Sequence, residues 1–246
     1  MLSPSERHKG LRDRLLSFGE TIPKEELTPT LVPEAAHLIA ENQFAFALAV
    51  CLDRGIRAEV AWSIPYWLNQ QLGHLDPRQI SNLSVREIAR VLSRLPLKPR
   101  YMRDAPRTVK ELAEIVAGEC DGDAERIWLG RTAADVQRTL LQIHGIGDGI
   151  AAMAVGLLER CRGVRFPDPS SMHVKPDTHV QRVLYRLGAA QKLEEREALR
   201  AAASLNPGHP GALDPALWVI GRRWCHLAEP DCGECVMSDL CPRTGV

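Results

Sequence analysis

The densest chemistry in this chain lies near its end. Cys225, Cys232, Cys235 and Cys241 follow one another as C-x6-C-x2-C-x5-C, four of the seven cysteines in the sequence. Four thiolates in so short a loop repel one another or oxidise unless a metal neutralises them. A tetrathiolate zinc site and a [4Fe–4S] cluster with one cysteine per iron corner both meet that need. An odd cysteine total without a readable export signal argues against a disulfide framework. Cys51, Cys120 and Cys161 are scattered and read as small buried hydrophobes.

Two further segments carry candidate chemistry. Residues 142–150 read Gln-Ile-His-Gly-Ile-Gly-Asp-Gly-Ile, with one amphipathic helix ending near Ile143 and another starting near Asp148. Glycines in the turn permit positive φ and let N–H groups at the start of the second helix face outward. Such amides hold a phosphate without any basic side chain, although an ordinary tight connection fits the same residues. Residues 174–188 place Asp177 at the N-cap of a helix with Val180, Val183, Leu184 and Leu187 on one face and Gly188 as its stop. A carboxylate fixed there is either a cap alone or also a group that stabilises a cationic sugar and orients a water. The local residues fit both. His179 reads as a surface or packing residue.

The elements that must position these groups are helical. Ser84 with Glu87 and Thr132 with Asp135 are capping boxes, each followed by apolar residues at helical spacing. Asp214-Pro215 predicts an N-cap and a first-turn proline for a helix with Leu217, Ile220 and Trp224 on one face. Residues 57–71 also read as helix, with Pro65 starting, kinking or ending a segment. No alternating strand pattern, solenoid repeat, P-loop or dinucleotide fingerprint is present. Residues 95–107 form a proline-rich basic connection.

Composition sets the outer bounds. The 246 residues carry 31 Lys+Arg against 31 Asp+Glu, and 45% are hydrophobic, which excludes disorder as the main state. The longest wholly apolar run, from Phe44 to Leu52, is far short of the roughly 18–20 residues of a membrane span. A formal charge of zero gives no global attraction to nucleic acid, so any DNA-binding face must gather its basic residues locally. The missing signal and the reduced cysteines predict a cytoplasmic, nucleoid-associated protein.

Taken together, the hairpin, the Asp-Thr-His-Val helix start and the cysteine spacing resemble, in that order, the helix-hairpin-helix DNA glycosylases of the endonuclease III superfamily. The similarity covers residues 40–241. It implies an all-α fold: a six-helix barrel domain over residues 34–160 with the helix-hairpin-helix at 132–158. Residues 1–33 with 161–246 would form a helical iron–sulfur domain, with the cluster loop at 225–241 and the active cleft between the two domains. On this resemblance the four cysteines hold a [4Fe–4S] cluster, Asp177 is the catalytic carboxylate, and His144, Gly145, Ile146, Gly147 and Gly149 face a phosphate of double-stranded DNA. A monomer is expected.

One departure bears on the chemistry. Bifunctional members carry a lysine two residues after the second hairpin glycine, and here that position is Gly149. A glycine is no nucleophile. The resemblance therefore implies a monofunctional glycosylase in which Asp177 and water hydrolyse the N-glycosidic bond of a flipped nucleotide. Lys175 is the residue from which weak lyase activity would come. Pro176 stands where the family usually has an aliphatic residue.

The base is read from residues 51–67. No acidic residue lies between Gln43 and Leu52, which sets the chain apart from the adenine-excising branch. Arg54 falls near the position that fills the space left by a flipped base. Trp62, Tyr66 and Trp67 are candidate stacking partners for a cationic base. This looks more like the alkylpurine branch, whose substrates leave with little acid assistance. Lys98, Arg100, Arg103, Arg222 and Arg223 are the candidate phosphate contacts. Competing readings are an endonuclease III-like pyrimidine glycosylase with weak lyase activity, a non-catalytic DNA-binding relative, and a ferredoxin-like electron carrier.

Overall fold

The computed structural model describes residues 4–246 and is all-helical among them, with no strand. The helices are α1 (Pro4–Thr21), α2 (Lys24–Leu27), α3 (Pro33–Glu41), α4 (Gln43–Leu52), α5 (Ala58–Leu72), α6 (Pro77–Ser81) and α7 (Val85–Arg94). They continue with α8 (Ala105–Gly118), α9 (Ala133–Leu140), α10 (Asp148–Arg162), α11 (Thr178–Arg186), α12 (Glu195–Leu205) and α13 (Asp214–Arg223).

The apolar run from Phe44 to Leu52 becomes α4, and every one of those nine residues is buried. A helix apolar on all sides belongs at the centre of a core, and α4 takes that place, with α3, α5, α8 and α10 around it. Buried apolar residues fall into two clusters. The larger runs from Ile22 to Met172 and receives Val219 from α13. The smaller joins Leu11 and Leu15 of α1 to residues of α11, α12, α13 and the C-terminal loop. Phe18 packs against both.

Capping follows the sequence at several points. Ser84 accepts the Glu87 N–H while Glu87 reaches back to the Ser84 N–H, and Thr132 accepts the Asp135 N–H. One expectation is narrowed and one is corrected. Pro65 lies inside α5, which runs through it from Ala58 to Leu72. The loss of one backbone donor is offset there by burial of Trp62, Ile64 and Leu68. Asp214 is not the N-cap of α13. It already has helical angles (φ −57°, ψ −48°), because a 3-10 turn (Pro210–Leu213) leads straight into the helix and Leu213 takes the cap position. Its carboxylate is therefore free for a tertiary partner.

Candidate active site

A cleft of about 1020 Å³ opens where the loop after α4, the loop before α11 and the face of α13 meet. Asp177 lies on its wall. The residue caps α11 as its sequence predicts: Oδ1 accepts the N–H groups of His179 (2.8 Å) and Val180 (3.0 Å). Oδ2 has no partner among the described residues and is left for the cleft. One oxygen thus fixes the carboxylate while the other stays available.

The loop ahead of Asp177 is pinned from behind. The Lys175 N–H donates to Asp214 Oδ1 at 2.6 Å, and the Asp177 N–H turns back onto the Lys175 carbonyl at 2.7 Å. Lys175 Nζ makes no salt bridge among the described residues and donates to Met153 Sδ at 3.2 Å. Asp53, buried at the end of α4, accepts the Trp62 indole N–H at 3.2 Å. Burial raises the Asp53 carboxyl above the usual range, although Lys175 and the indole N–H oppose this. Burial, with the Asp177 charge nearby, pushes Asp214 up to about 7. His179 shifts the other way, because burial disfavours the imidazolium.

The hairpin lies across the groove from Asp177. Residues 141–147 connect α9 and α10, with Gly145 at φ +80°, a left-handed conformation. Neighbouring elements hold the turn from inside. Thr108 Oγ1 donates to the His144 carbonyl (2.8 Å), Glu111 accepts the His144 N–H (2.6 Å), and Asp104 pairs with His144 Nε2 (2.9 Å). Arg54 donates to the Gly145 carbonyl (2.5 Å) and to Thr108 Oγ1 (2.9 Å). A Cβ on Gly145 would sit 1.9 Å from Arg54 Nη1, so this approach requires glycine. Helix geometry leaves the first N–H groups of α10, from Asp148 and Gly149, without intrahelical acceptors. Gly149 itself faces Lys175 and Pro176, with 3.8 Å between a built Cβ and Lys175 Cγ. Gly147, Gly149 and Asp177 line one groove of about 620 Å³.

The three aromatic candidates are elsewhere. Trp62 is wholly buried, packs edge-on against Phe46 at 5.5 Å, and has no face on which a base could stack. Tyr66 and Trp67 pack on one another at 5.0 Å, and neither lines the cleft. Only the first turn of α5, at Ala58 and Glu59, reaches the cleft, and the three aromatic residues lie further along the helix. The aromatic rings at the cleft are Tyr101 and Trp218. The guanidinium of Arg222 covers one face of Trp218 at 4.6 Å.

Basic residues divide similarly. Lys98, Arg100 and Arg103 are exposed. Arg222 instead pairs with Glu59 of α5, and Arg223 with Glu26 of α2, so both tie α13 to the larger core. Nothing in their local sequence signals those partners.

The four C-terminal cysteines come together around a single pocket of about 30 Å³. Arg186 donates to Cys225 Sγ and the Arg243 N–H to Cys241 Sγ, each at 3.4 Å. Burial, followed by the neighbouring cysteines, raises the Cys235 thiol. No three His, Cys, Asp or Glu side chains among the described residues converge on a single-ion site. Helix α11 links this loop to Asp177. Arg182 donates to the carbonyls of Cys225 (2.6 Å) and Gly221 (3.0 Å), and Arg186 to that of His226 (2.5 Å). One nine-residue helix thus carries Asp177 at its start and grips the cysteine loop further along.

Comparison with known proteins agrees with this architecture. No family model matches the chain. In sequence it is similar to endonuclease III of Sulfolobus acidocaldarius, 26% identical over 211 residues, or 81% of this chain and 82% of that protein. It is also similar to the chloroplastic endonuclease III homolog 2 of Arabidopsis thaliana, 31% identical over 150 residues, or 58% of this chain and 34% of that protein. Among solved structures, a non-covalent endonuclease III–DNA complex aligns with TM-score 0.65 at 18% identity, covering 99% of this chain and 97% of that one. A trapped endonuclease III–DNA covalent intermediate gives 0.64 at 19% identity over the same shares. A thermostable thymine-DNA glycosylase gives 0.64 at 18% identity, with 97% of each chain covered. The chain has the endonuclease III fold. The sequence relatives and the fold together support the endonuclease III-like helix-hairpin-helix DNA glycosylase superfamily.

Proposed function

We infer that this protein is a DNA base-excision glycosylase that hydrolyses the N-glycosidic bond of a damaged nucleotide with Asp177 and water. The observation that carries the reading is the pose of Asp177. It is held by two helix amides through one oxygen, with the other open to a cleft beside the glycine-lined start of α10. A capping carboxylate with one oxygen open to the cleft is placed to face a developing oxocarbenium charge. With glycine at position 149 the hairpin supplies no amine to attack C1′, so water is the nucleophile. The N–H groups at the start of α10 would hold a phosphate next to the extruded nucleotide.

The preferred base is an N-alkylated purine. Of the cleft carboxylates, Glu59 pairs with Arg222, Asp53 accepts the Trp62 N–H, Asp177 gives one oxygen to its cap, and Glu195 is exposed. A base that departs without a dedicated proton donor suits such a site. A pyrimidine lesion is the second reading, favoured by the likeness to endonuclease III and to a thymine-DNA glycosylase.

The cysteine loop fits a [4Fe–4S] cluster. Four cysteines lining one pocket, with N–H donors aimed at two of their sulfurs, suit one thiolate per iron corner. Cys225, Cys232, Cys235 and Cys241 would hold it. Its contribution would be to brace the loop that α11 grips.

The test uses cluster-loaded protein and duplexes with one alkylated purine, uracil or oxidised pyrimidine, each reaction split with and without hot alkali. Cleavage of the alkylpurine strand only after alkali is expected. Cleavage of a pyrimidine-lesion strand alone would favour the second reading, and intact binding without any cleavage would leave a non-catalytic DNA-binding protein.

A further inference from the structure

Asp214 has the sequence of a helix cap and the position of an anchor. It stands at the first residue of α13, mostly enclosed, behind the loop that presents Asp177. Its Oδ1 accepts the Lys175 N–H, and the Asp177 N–H closes onto the carbonyl of that same lysine. Holding Lys175 therefore holds the peptide from which the Asp177 side chain springs.

The surroundings make this an isolated, strong contact. Asp214, Asp53 and Lys175 share the wall of a small cavity, about 40 Å³, that is otherwise lined mainly by Leu27, Met153 and Leu157. The titratable groups facing Asp214 are Lys175 and Asp177 from the loop and Asp53 from the end of α4. Helices α2 and α10 present only apolar atoms there. Hydrogen bonds to an ionised acceptor are roughly twice as strong as neutral ones, so the grip on Lys175 depends on the charge of Asp214. Burial places that charge change at about 7.

We propose that Asp214 is a positioning residue of the cleft: as a carboxylate it anchors the Lys175 amide and so sets the pose of Asp177, and protonation loosens the anchor. This rests on the reading of Asp177 given above. It predicts a rate that falls as pH drops through neutrality because of a residue that never touches the substrate.

The experiment compares full-length, cluster-loaded wild type with Asp214→Ala and Asp214→Asn between about pH 6 and 8.5. Three quantities are read: protection of the Lys175 amide against hydrogen exchange, single-turnover base release, and duplex Kd. For Asp214→Ala, Lys175 protection should fall at least tenfold and release at least tenfold, with Kd within twofold of wild type. For Asp214→Asn, a neutral acceptor that cannot ionise, protection above pH 7 should lie between that of wild type and that of Asp214→Ala, and the limb near pH 7 should vanish from the release profile. Wild-type protection and release in Asp214→Ala would overturn the proposal, as would an unchanged limb in Asp214→Asn. If wild type releases no base from any lesion, the glycosylase reading falls, and the exchange arm decides alone: lost protection in Asp214→Ala supports the anchor and unchanged protection refutes it.

Discussion

Asp177 and Asp214 present the same local signature, an aspartate at the entry of an amphipathic helix, and the fold uses them oppositely. Asp177 has extended backbone angles, turns its carboxylate onto its own helix, and keeps one oxygen at the cleft. Asp214 is already helical, ignores its own helix, and reaches across to another segment. The difference lies in what precedes each residue. Asp177 follows an irregular segment and keeps extended angles (φ −75°, ψ 179°), whereas the 3-10 turn at 210–213 delivers Asp214 in helical conformation. A cap motif states that a helix begins nearby. It does not state where the carboxylate points.

The largest effect that would break this contrast is at Asp177. Asp177→Asn keeps the cap, because Asn caps about as well as Asp, so the melting temperature should stay near wild type. Base release should fall at least 10³-fold while duplex affinity holds within twofold. Retained release would leave Asp177 as a plain cap, no different in kind from Ser84.

Next in size is the far end of α11. Cys232→Ala should give colourless protein that is poorly folded, seen as loss of visible absorbance and of a cooperative melting transition. A soluble, active variant would show that the grip of Arg182 and Arg186 on the end of α13 and the start of the cysteine loop suffices without a cluster.

Asp214→Asn sharpens the comparison through stability. The folded carboxyl titrates at about 7 and the ordinary value is 3.8, so the folded state holds the extra proton between them. Stability from this group is therefore present at low pH and declines as pH rises through that window. The Asn variant should gain up to about 4 kcal/mol over wild type above pH 7, from roughly three pKa units at about 1.4 kcal/mol each, and lose the gain near pH 4. Chemical denaturation at several pH values checks this. A gain that grows toward low pH would reverse the assignment of Asp214 as a buried carboxylate.

The smallest expected effect concerns the hairpin. Gly145→Ala meets both the positive φ and the Arg54 guanidinium, at a cost of about 1–2 kcal/mol. Arg54→Ala in the same chain should recover part of that loss, because the clash is gone while the backbone strain remains. A fully additive double variant would show that the two residues do not meet.

Much of the site was legible because it rests on short-range rules. The turn at 145–147, the cap at Asp177 and the cysteine spacing each lie within a few residues, where backbone geometry and coordination chemistry leave few choices. The aromatic candidates failed for a longer-range reason. Trp62, Tyr66 and Trp67 sit on a helix of which only the first turn, Ala58 and Glu59, reaches the cleft, and how α5 lies along the cleft is set by its packing on α3 and α4. Trp218, at the cleft, carries no local mark beyond being a tryptophan on an apolar face. Resemblance puts Arg54 near the position that fills the space left by a flipped base, and its guanidinium here supports the hairpin turn from within.

By itself the sequence determined the helices, their caps, the tight glycine turn and a four-thiolate loop, since each follows from torsional preference, local hydrogen bonding or charge repulsion among neighbours in the chain. Only the tertiary structure decided which carboxylates meet. Asp53, Asp177 and Asp214 lie more than thirty residues apart in sequence, and the packing of α4, α11 and α13 about Lys175 puts them within electrostatic reach. Burial then separates their roles, because the cost of desolvating a charge depends on what the rest of the chain has laid over it.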